Sequence, residues 1–534
     1  MNLVSENSFS GILFGNPTLS LFKTKYSKIT NFGLQRLRLD FDGNRDLRLT
    51  ENSTFVFKIK RYAELLLDTH LVFTLPDIYS PIYQPCESNG NVWSSYDFRW
   101  IRNIGTNIIK EVHITCGSLT LQKYSGSYIN ACVERDYSGE KKELFHRMTG
   151  DVPELYDPAN TNSRNNCYPS AFYTTNPAGC EPSIRGRQLF IPLNTWFSQA
   201  NTAFPLISLQ YNELQISVTL RSIQELFQVR DVFDPANNFP YIQGNFNLPQ
   251  FGFYRFLTQP PSENIDAASY ENTSLTNWNA DIHLISTYAF LSKQEATQFA
   301  SESQVYLLKD IFEYEFQNIS GTTKVKIPTN GMVASWMFYL QRNDANMRNE
   351  WSNYTNWPYS SIPSDIVSNP ASSYYFNPDG SRTGLFVSND FNIDNQKNIL
   401  LTMGILLDGQ YRENILIEGV YNYIEKYSRT KGAAKDGLYC YNFCLNSSSQ
   451  DYQPSGAINM SKFKDVYLEI STFIPRQDLT NSNFNVICDN NGTVIGVQKQ
   501  NWRLYEYTFN LKLFEERYNV LSIIGGNCGM LYSR

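Results

Sequence analysis

The chain carries four histidines, His70, His113, His146 and His283, and that scarcity narrows its chemistry at once. Zinc sites draw on His and Cys at short, recurrent spacings. No H-x-H and no H-E-x-x-H occurs here. His70 and His113 fall inside apolar, strand-like runs, where packing is the plainer role. There is no P-loop, no Rossmann glycine fingerprint and no G-x-S-x-G elbow. The 51 acidic residues offer many carboxylate pairs, and a glycosidase needs one such pair flanking its bond. That reading stays open to the sequence, although no motif supports it. No residue is assigned to catalysis, to a cofactor or to a metal.

Nine cysteines stand at 86, 116, 132, 167, 180, 440, 444, 488 and 528. An odd, scattered set suggests free thiols in a reducing compartment. Cys440 and Cys444 share a parity and could face one side of a strand, as packing residues or as a disulfide or metal pair. Cys167 and Cys180 lie in a long polar loop, where nothing in the sequence supports a bridge. Seven N-x-[ST] sequons occur, at Asn52, Asn272, Asn318, Asn353, Asn446, Asn459 and Asn491. A chain rich in Asn, Ser and Thr yields about that many by chance. Asn353, in a long loop, is the best acceptor if any is modified.

These residues sit on a β-rich scaffold. The length of 534 residues suggests two to four domains. Net charge is -6, and no long basic tract is present, which argues against coating DNA. Aromatics make up 15% of the chain, which favours strands and broad subunit contacts. Strand-like runs recur at 54–60, 71–75, 108–115, 189–193, 214–220, 312–317, 333–340, 399–407, 465–473 and 505–511. Helix signals are few. Ser292-x-x-Glu295 is a capping box before a short helix ending near Glu302, and 417–431 is a second candidate. Many strands with rare helices argue for sandwiches or barrels.

Residues 231–280 break the composition with Pro235, Pro240, Pro249, Pro260 and Pro261, and read as a linker between two β-domains. Two further stretches, 150–187 and 342–398, are long, polar and irregular. Loops of that length in compact domains are usually functional or mobile. If both project the same way they form one exposed face. The N-terminus lacks the basic region of a signal peptide and breaks its apolar run at Gly15, Asn16 and Pro17. No apolar run reaches the roughly 18 residues of a membrane span. A soluble, cytoplasmically made protein is expected.

The segment Tyr452–Thr472 joins a rigid turn at Pro454, a bend at Gly456 and an alternating strand through Val466, Leu468 and Ile470. Gln453, Pro454, Ser455, Gly456, Asn459 and Ser461 resemble a signature of the major capsid proteins of nucleocytoplasmic large DNA viruses. The likeness is collinear along most of the chain. Thr30, Asn31 and Phe32 look like an early element of that family. So do the run Ile59–Pro76, the glycine-punctuated hairpin Trp100–Asn130, and Met148, Thr149 and Gly150. In Leu189–Phe227, the Ile-Pro-Leu run, Trp196-Phe197, Phe204-Pro205-Leu206 and Leu209-Gln210-Tyr211 follow the family's order, with the Arg221…Glu225-Leu226 extension of mimivirus-like members. Ala280–Leu308 and Tyr518–Ser533 match its later elements. Ala63-Glu64, Met460 and Lys462 depart from the pattern in ways that look like tolerable substitutions.

The resemblance implies an all-β chain of two consecutive eight-stranded antiparallel jelly rolls, with short helices and long surface loops. The expected division is an arm over 1–23, a first roll over 24–230, the linker 231–280 and a second roll over 281–534. It implies a structural major capsid protein and no enzyme. Homotrimers would form pseudo-hexagonal capsomers that tile the icosahedral shell of a large double-stranded DNA virus. Implied partners are neighbouring capsomers, minor capsid and penton proteins, and an underlying internal membrane reached through minor proteins, with no direct nucleic acid. The implied location is the virion, assembled in the host cytoplasm. By resemblance the arm lies on the inner side of the shell; a frayed terminus is the alternative. A rival reading is a β-sandwich carbohydrate-binding spike or fibre protein with aromatic platforms. A cupin-like metalloenzyme shares the roll but calls for clustered histidines.

Overall fold

The computed structural model of the chain describes residues 10–532, apart from 84–93, 174–179, 231–240, 245–250, 260–276, 358–373, 377–381, 387–395, 475–485, 489–493, 498–506 and shorter gaps. Eight antiparallel strands build a first jelly roll: β1 (Phe32–Leu39), β2 (Ser53–Lys58), β3 (Leu65–Leu75), β4 (Ile109–Cys116), β5 (Leu119–Tyr124), β6 (Arg187–Pro192), β7 (Leu214–Leu220) and β8 (His283–Leu291). One sheet runs β1-β8-β3-β6, and the facing sheet runs β2-β7-β4-β5. Strand alternation explains the two faces. In β7 the side chains of Leu214, Ile216, Val218 and Leu220 are buried, while Gln215, Ser217 and Thr219 stay partly in solvent.

A second roll repeats the order: β9 (Gln304–Ile319), β10 (Thr322–Lys326), β11 (Met332–Arg342), β12 (Leu400–Leu407), β13 (Gln410–Ile417), β14 (Leu438–Asn442), β15 (Val466–Thr472) and β16 (Phe509–Ile524). Its sheets run β9-β16-β11-β14 and β10-β15-β12-β13. A last strand, β17 (Asn527–Met530), folds back on β16. The order in each roll is therefore 1-8-3-6 against 2-7-4-5, the double jelly roll the sequence implied.

The boundary between the rolls needs correction. Strand β8 belongs to the first roll, paired along its length with β1 from Phe32↔Leu291 to Leu39↔Leu284. The first roll therefore extends to 291, not 230. The presumed linker is an insertion between β7 and β8. Its described parts are buried in the first roll's core through Ile242, Phe251, Phe253, Phe256 and Trp278. Phe98, Trp100, Phe227 and Phe253 form an aromatic cluster there, with Phe98 stacked on Phe227 at 4.8 Å. Proline and Asn made the segment read as a tether, but burial of Phe251, Phe253 and Phe256 pins its described parts.

The rolls are joined by a helix, α3 (Lys293–Ser301), capped by Ser292, whose hydroxyl accepts from the Glu295 N–H. The Ser292 cap thus stands where it was expected, with the N-cap bond of the box formed. Two longer helices, α1 (Gly126–Asp136) and α2 (Gly139–Thr149), lie between β5 and β6 and carried no clear sequence signal. The region 417–431 is helical over Val420–Arg429.

Candidate functional site: the signature clamp and the junction between the rolls

The signature segment works as a clamp. Ser455 Oγ accepts from the Asn446 N–H at 2.9 Å and donates to the Asn446 carbonyl at 2.8 Å. Gly456 has φ of 128°, a conformation side chains rarely adopt, beside the Cys444 backbone. Ile458 and Asn459 pair with Val333 and Met332 at the start of β11. Ser461 Oγ accepts from the Gly331 N–H at 2.8 Å, and Met460 N–H donates to the Gly331 carbonyl at 2.8 Å. Met460 is fully buried, which suits an apolar residue at that position. The motif thus ties the approach to β15 to the ends of two other strands.

The junction between the rolls is built around α1. This helix is buried nearly all round. It lies against the β9-β16-β11 face of the second roll, and Tyr128 packs on Phe514 at 5.7 Å. One apolar cluster runs through both rolls and includes Leu121, Ile129, Leu308, Met337 and Phe514. Arg135 sits at its centre with none of its side chain exposed. It donates to Glu516 at 3.0 and 3.1 Å, to Asp136 at 2.7 and 2.9 Å, and to Ser335 at 3.3 Å. Tyr128 and Ser335 hydroxyls also donate to Glu516, at 2.9 and 2.6 Å. Burial opposes charge on Glu516, but Arg135, then Lys309 and these hydrogen bonds, outweigh it and hold its carboxyl down at about 2. Every oxygen of this buried acid is thereby satisfied.

Glycines govern how closely the helical segments of the first roll approach one another. A Cβ on Gly126 would lie 1.8 Å from the Thr106 carbonyl oxygen, and one on Gly105 would lie 2.5 Å from that of Thr149. Both positions belong to the hairpin motif Trp100–Asn130, and close backbone approach is the reason for glycine there.

The long segment after β11 is only partly a surface loop. Arg342 donates to Asp344 at 2.7 Å, and Arg348 donates to Glu350 at 3.0 Å, all with buried side chains. Asn349 Nδ2 donates to the carbonyls of Gln224 and Phe227 at 2.7 and 2.9 Å, and Trp351 Nε1 to that of Glu225 at 3.0 Å. These bonds dock 344–351 onto the first roll's insertion. Asn353 is here as well. It is 6% exposed, and its amide donates to the Trp357 carbonyl at 2.5 Å while its oxygen accepts from Thr355. Asn353, the sequon named as the best acceptor if any is modified, thus has its amide nitrogen enclosed and hydrogen-bonded in the folded chain.

A cavity of about 680 Å³ lies beside this docking segment, lined from both rolls by Arg102, His146, Asp151, Glu350, Lys435 and Asp436 among others. Asp151 accepts from the Asn103 N–H at 3.0 Å and faces Arg102 and His146. Burial lowers the Lys435 ammonium to about 8, its Nζ donating to the Ser352 carbonyl at 3.0 Å. The acids and bases here are largely paired with each other, as in a structural polar seam. The other histidines are dispersed: His113 meets Thr120 at 2.9 Å, His70 lies near Asp68, and His283 Nδ1 contacts the Asp281 carbonyl at 2.6 Å. Among the described residues no three His, Cys, Asp or Glu side chains form a metal-binding group. Cys167, Cys180, Cys440 and Cys444 are free thiols.

Comparison with known proteins decides the family. A family model described as "Major capsid protein N-terminus" matches residues 20–254, and one described as "Large eukaryotic DNA virus major capsid protein" matches 295–529. The chain belongs to the major capsid proteins of large eukaryotic DNA viruses. Among similar relatives, the major capsid protein of Phaeocystis pouchetii virus is 22% identical, with 100% of this chain and 99% of that protein aligned. That of Paramecium bursaria Chlorella virus 1 is also 22% identical, over 99% and 98% of the two chains. Among solved structures, the PBCV-1 virus capsid aligns at TM-score 0.60 and 17% identity, covering 96% of this chain and all of that one. The Faustovirus major capsid protein aligns at TM-score 0.60 and 13% identity, covering 95% and 93%. This capsid protein is a structural component of the virion and not an enzyme. Its functional surfaces are therefore those that hold its shape and meet neighbours.

Proposed function

We propose that this major capsid protein associates as a homotrimer into a pseudo-hexagonal capsomer, and that such capsomers tile an icosahedral shell. The observation that carries the reading is the repetition of one roll topology within a single chain. Three such chains about a threefold axis present six similar bodies, an outline that packs a surface without gaps. Unpartnered apolar surface supports it. Strand β13 forms the free edge of its sheet, and Ile415, Ile417, Tyr423, Ile424 and Tyr427 on it and the following helix are exposed. Edge strands and apolar patches of this kind are ordinarily covered by a partner. The described end of the N-terminal arm exposes Leu21 and Phe22, and the stretch leading on to β1 exposes Tyr26 and Ile29, which suits contact with a neighbouring capsomer or a minor capsid or penton protein on the shell's inner side. Through such minor proteins the shell would meet an internal membrane, with no direct contact to nucleic acid. Assembly in the host cytoplasm belongs to the same reading.

Light scattering of the purified full chain tests this. A particle of about three times the 61.5 kDa chain mass is expected, with six-lobed projections in negative-stain images. A chain that stays at single-copy mass across concentration and salt would sink the proposal.

A further inference from the structure

Asn-Gly is the dipeptide most open to spontaneous deamidation, because glycine has no side chain to hinder attack by its own nitrogen. The chain holds three such pairs, at 89–90, 330–331 and 491–492, of which 330–331 lies among the described residues. It ends the turn between β10 and β11. The Asn330 side chain is exposed, so water reaches it. Arg517 Nη1 donates to Asn330 Oδ1 at 2.5 Å, which draws charge from the amide carbonyl as the reaction requires. Gly331 has φ of 72°, with open space where a Cβ would stand. Sequence, exposure and carbonyl contact all favour loss of the amide. The Gly331 nitrogen does not. Its N–H donates to Ser461 Oγ at 2.8 Å, and the Gly331 carbonyl accepts from the Met460 N–H at 2.8 Å. Ser461 is itself set by Asn459, whose Oδ1 accepts from the Ser461 N–H at 3.1 Å.

We propose that Asn330 is a latent deamidation site and that Ser461, positioned by Asn459, holds its modification off. Deamidation begins when the Gly331 nitrogen loses its proton and attacks Asn330 Cγ. A new C–N bond closes a five-membered succinimide, the bond from Cγ to Nδ2 breaks, and Nδ2 takes up a proton and leaves as ammonia. Water then opens the ring at either carbonyl, giving aspartate or isoaspartate. The sum is one amide and one water in, one carboxylic acid and one ammonia out, with no oxidant or cofactor. A nitrogen whose N–H is bonded to Ser461, in a peptide unit pinned at its carbonyl by Met460, keeps its proton and cannot swing toward Cγ. The damage would fall on the signature clamp. Isoaspartate adds one carbon to the backbone just before β11, where Met332 pairs with Asn459 on one side and Tyr518 on the other. A capsid chain in a released particle is not replaced, so slow chemical loss of this kind accumulates. Two signature residues, Asn459 and Ser461, thereby gain a role in chemical durability beyond holding the fold.

The test incubates the full chain in mildly alkaline buffer and follows Asn330 by peptide mapping and mass spectrometry. In the native parent Asn330 is expected to stay an amide, while the same chain unfolded in guanidinium converts there as it does at Asn89 and Asn491. Ser461 is exposed, so Ser461→Ala removes a hydrogen bond and little packing. Folded Ser461→Ala should convert Asn330 about tenfold faster than the parent, the worth of roughly one hydrogen bond. Hydrogen exchange at the Gly331 amide should speed up with it, and Ser461→Thr, which restores the oxygen, should return both rates to the parent's. Should Ser461→Ala fail to fold, Ser461→Cys, a weak acceptor of similar size, takes its place with the same expectations. A native parent that loses the Asn330 amide as fast as the unfolded chain would overturn the proposal. So would a folded Ala or Cys variant that loses it no faster than the parent.

Discussion

Arg135→Met removes one charge from the middle of the junction and keeps most of the apolar bulk. The change leaves Glu516 and Asp136, 0% and 2% exposed, as buried acids without their guanidinium. Glu516 keeps the hydroxyls of Tyr128 and Ser335 but loses both guanidinium bonds. Breaking a buried pair from one side costs about 3–5 kcal/mol. The acid's own titration gives a second route to that size. Its folded value of about 2 lies below its ordinary 4.5. At about 1.4 kcal/mol per unit that gap is roughly 3 kcal/mol. A depressed folded value means the stabilisation is complete above pH 4.5 and is lost as pH falls toward 2. Urea unfolding of the full chain at pH 7 reads the loss. Against a slope of about 3 kcal/mol per molar, the midpoint should fall by about 1 M. Pairing Arg135→Met with Glu516→Leu removes one of the two orphaned charges, that of Glu516, and the double variant should recover part of the loss while Asp136 stays without its guanidinium. The reasoning is refuted if Arg135→Met unfolds at the parent's midpoint, or if the double variant is as damaged as the sum of the singles.

Two further substitutions test the clamp and the close approaches. Ser455→Ala strips the Asn446 N–H of its acceptor and should cost about 1–3 kcal/mol, read as a lower thermal midpoint, with Ser455→Thr closer to the parent. Gly126→Ala pushes a methyl into the Thr106 carbonyl, where only backbone can yield, and should cost about 3 kcal/mol or more, seen as loss of soluble protein or a large drop in midpoint. Gly139→Ala, at the start of α2 with open space around its Cβ position, is the control and should be near neutral.

Most of the strand inventory was legible in the sequence, because burying one face of a sheet writes a period of two into each strand. The runs at 214–220 and 465–473 stand where β7 and β15 form, and the Ser292 capping box stands at the start of α3. Helix α1 escaped because its polar residues, Asn130, Glu134, Arg135 and Asp136, are themselves buried, so polarity does not mark a solvent face. The boundary between rolls escaped for a related reason. Strand β8 pairs with β1 across some 250 residues of chain, and no local pattern records such a partner.

The sequence by itself determined most of the strands, the family motifs and the lack of a recognised catalytic motif, since each rests on residue type and short-range spacing, while the two rolls came from the family resemblance. Only the tertiary structure decided that the described parts of 231–280 pack into the first roll's core, that Asn353 is enclosed, and that Arg135 meets Glu516. Those three outcomes depend on which surfaces face each other once the sheets close. Residues hundreds of positions apart become neighbours only through burial, which acts on the whole chain and leaves no local mark.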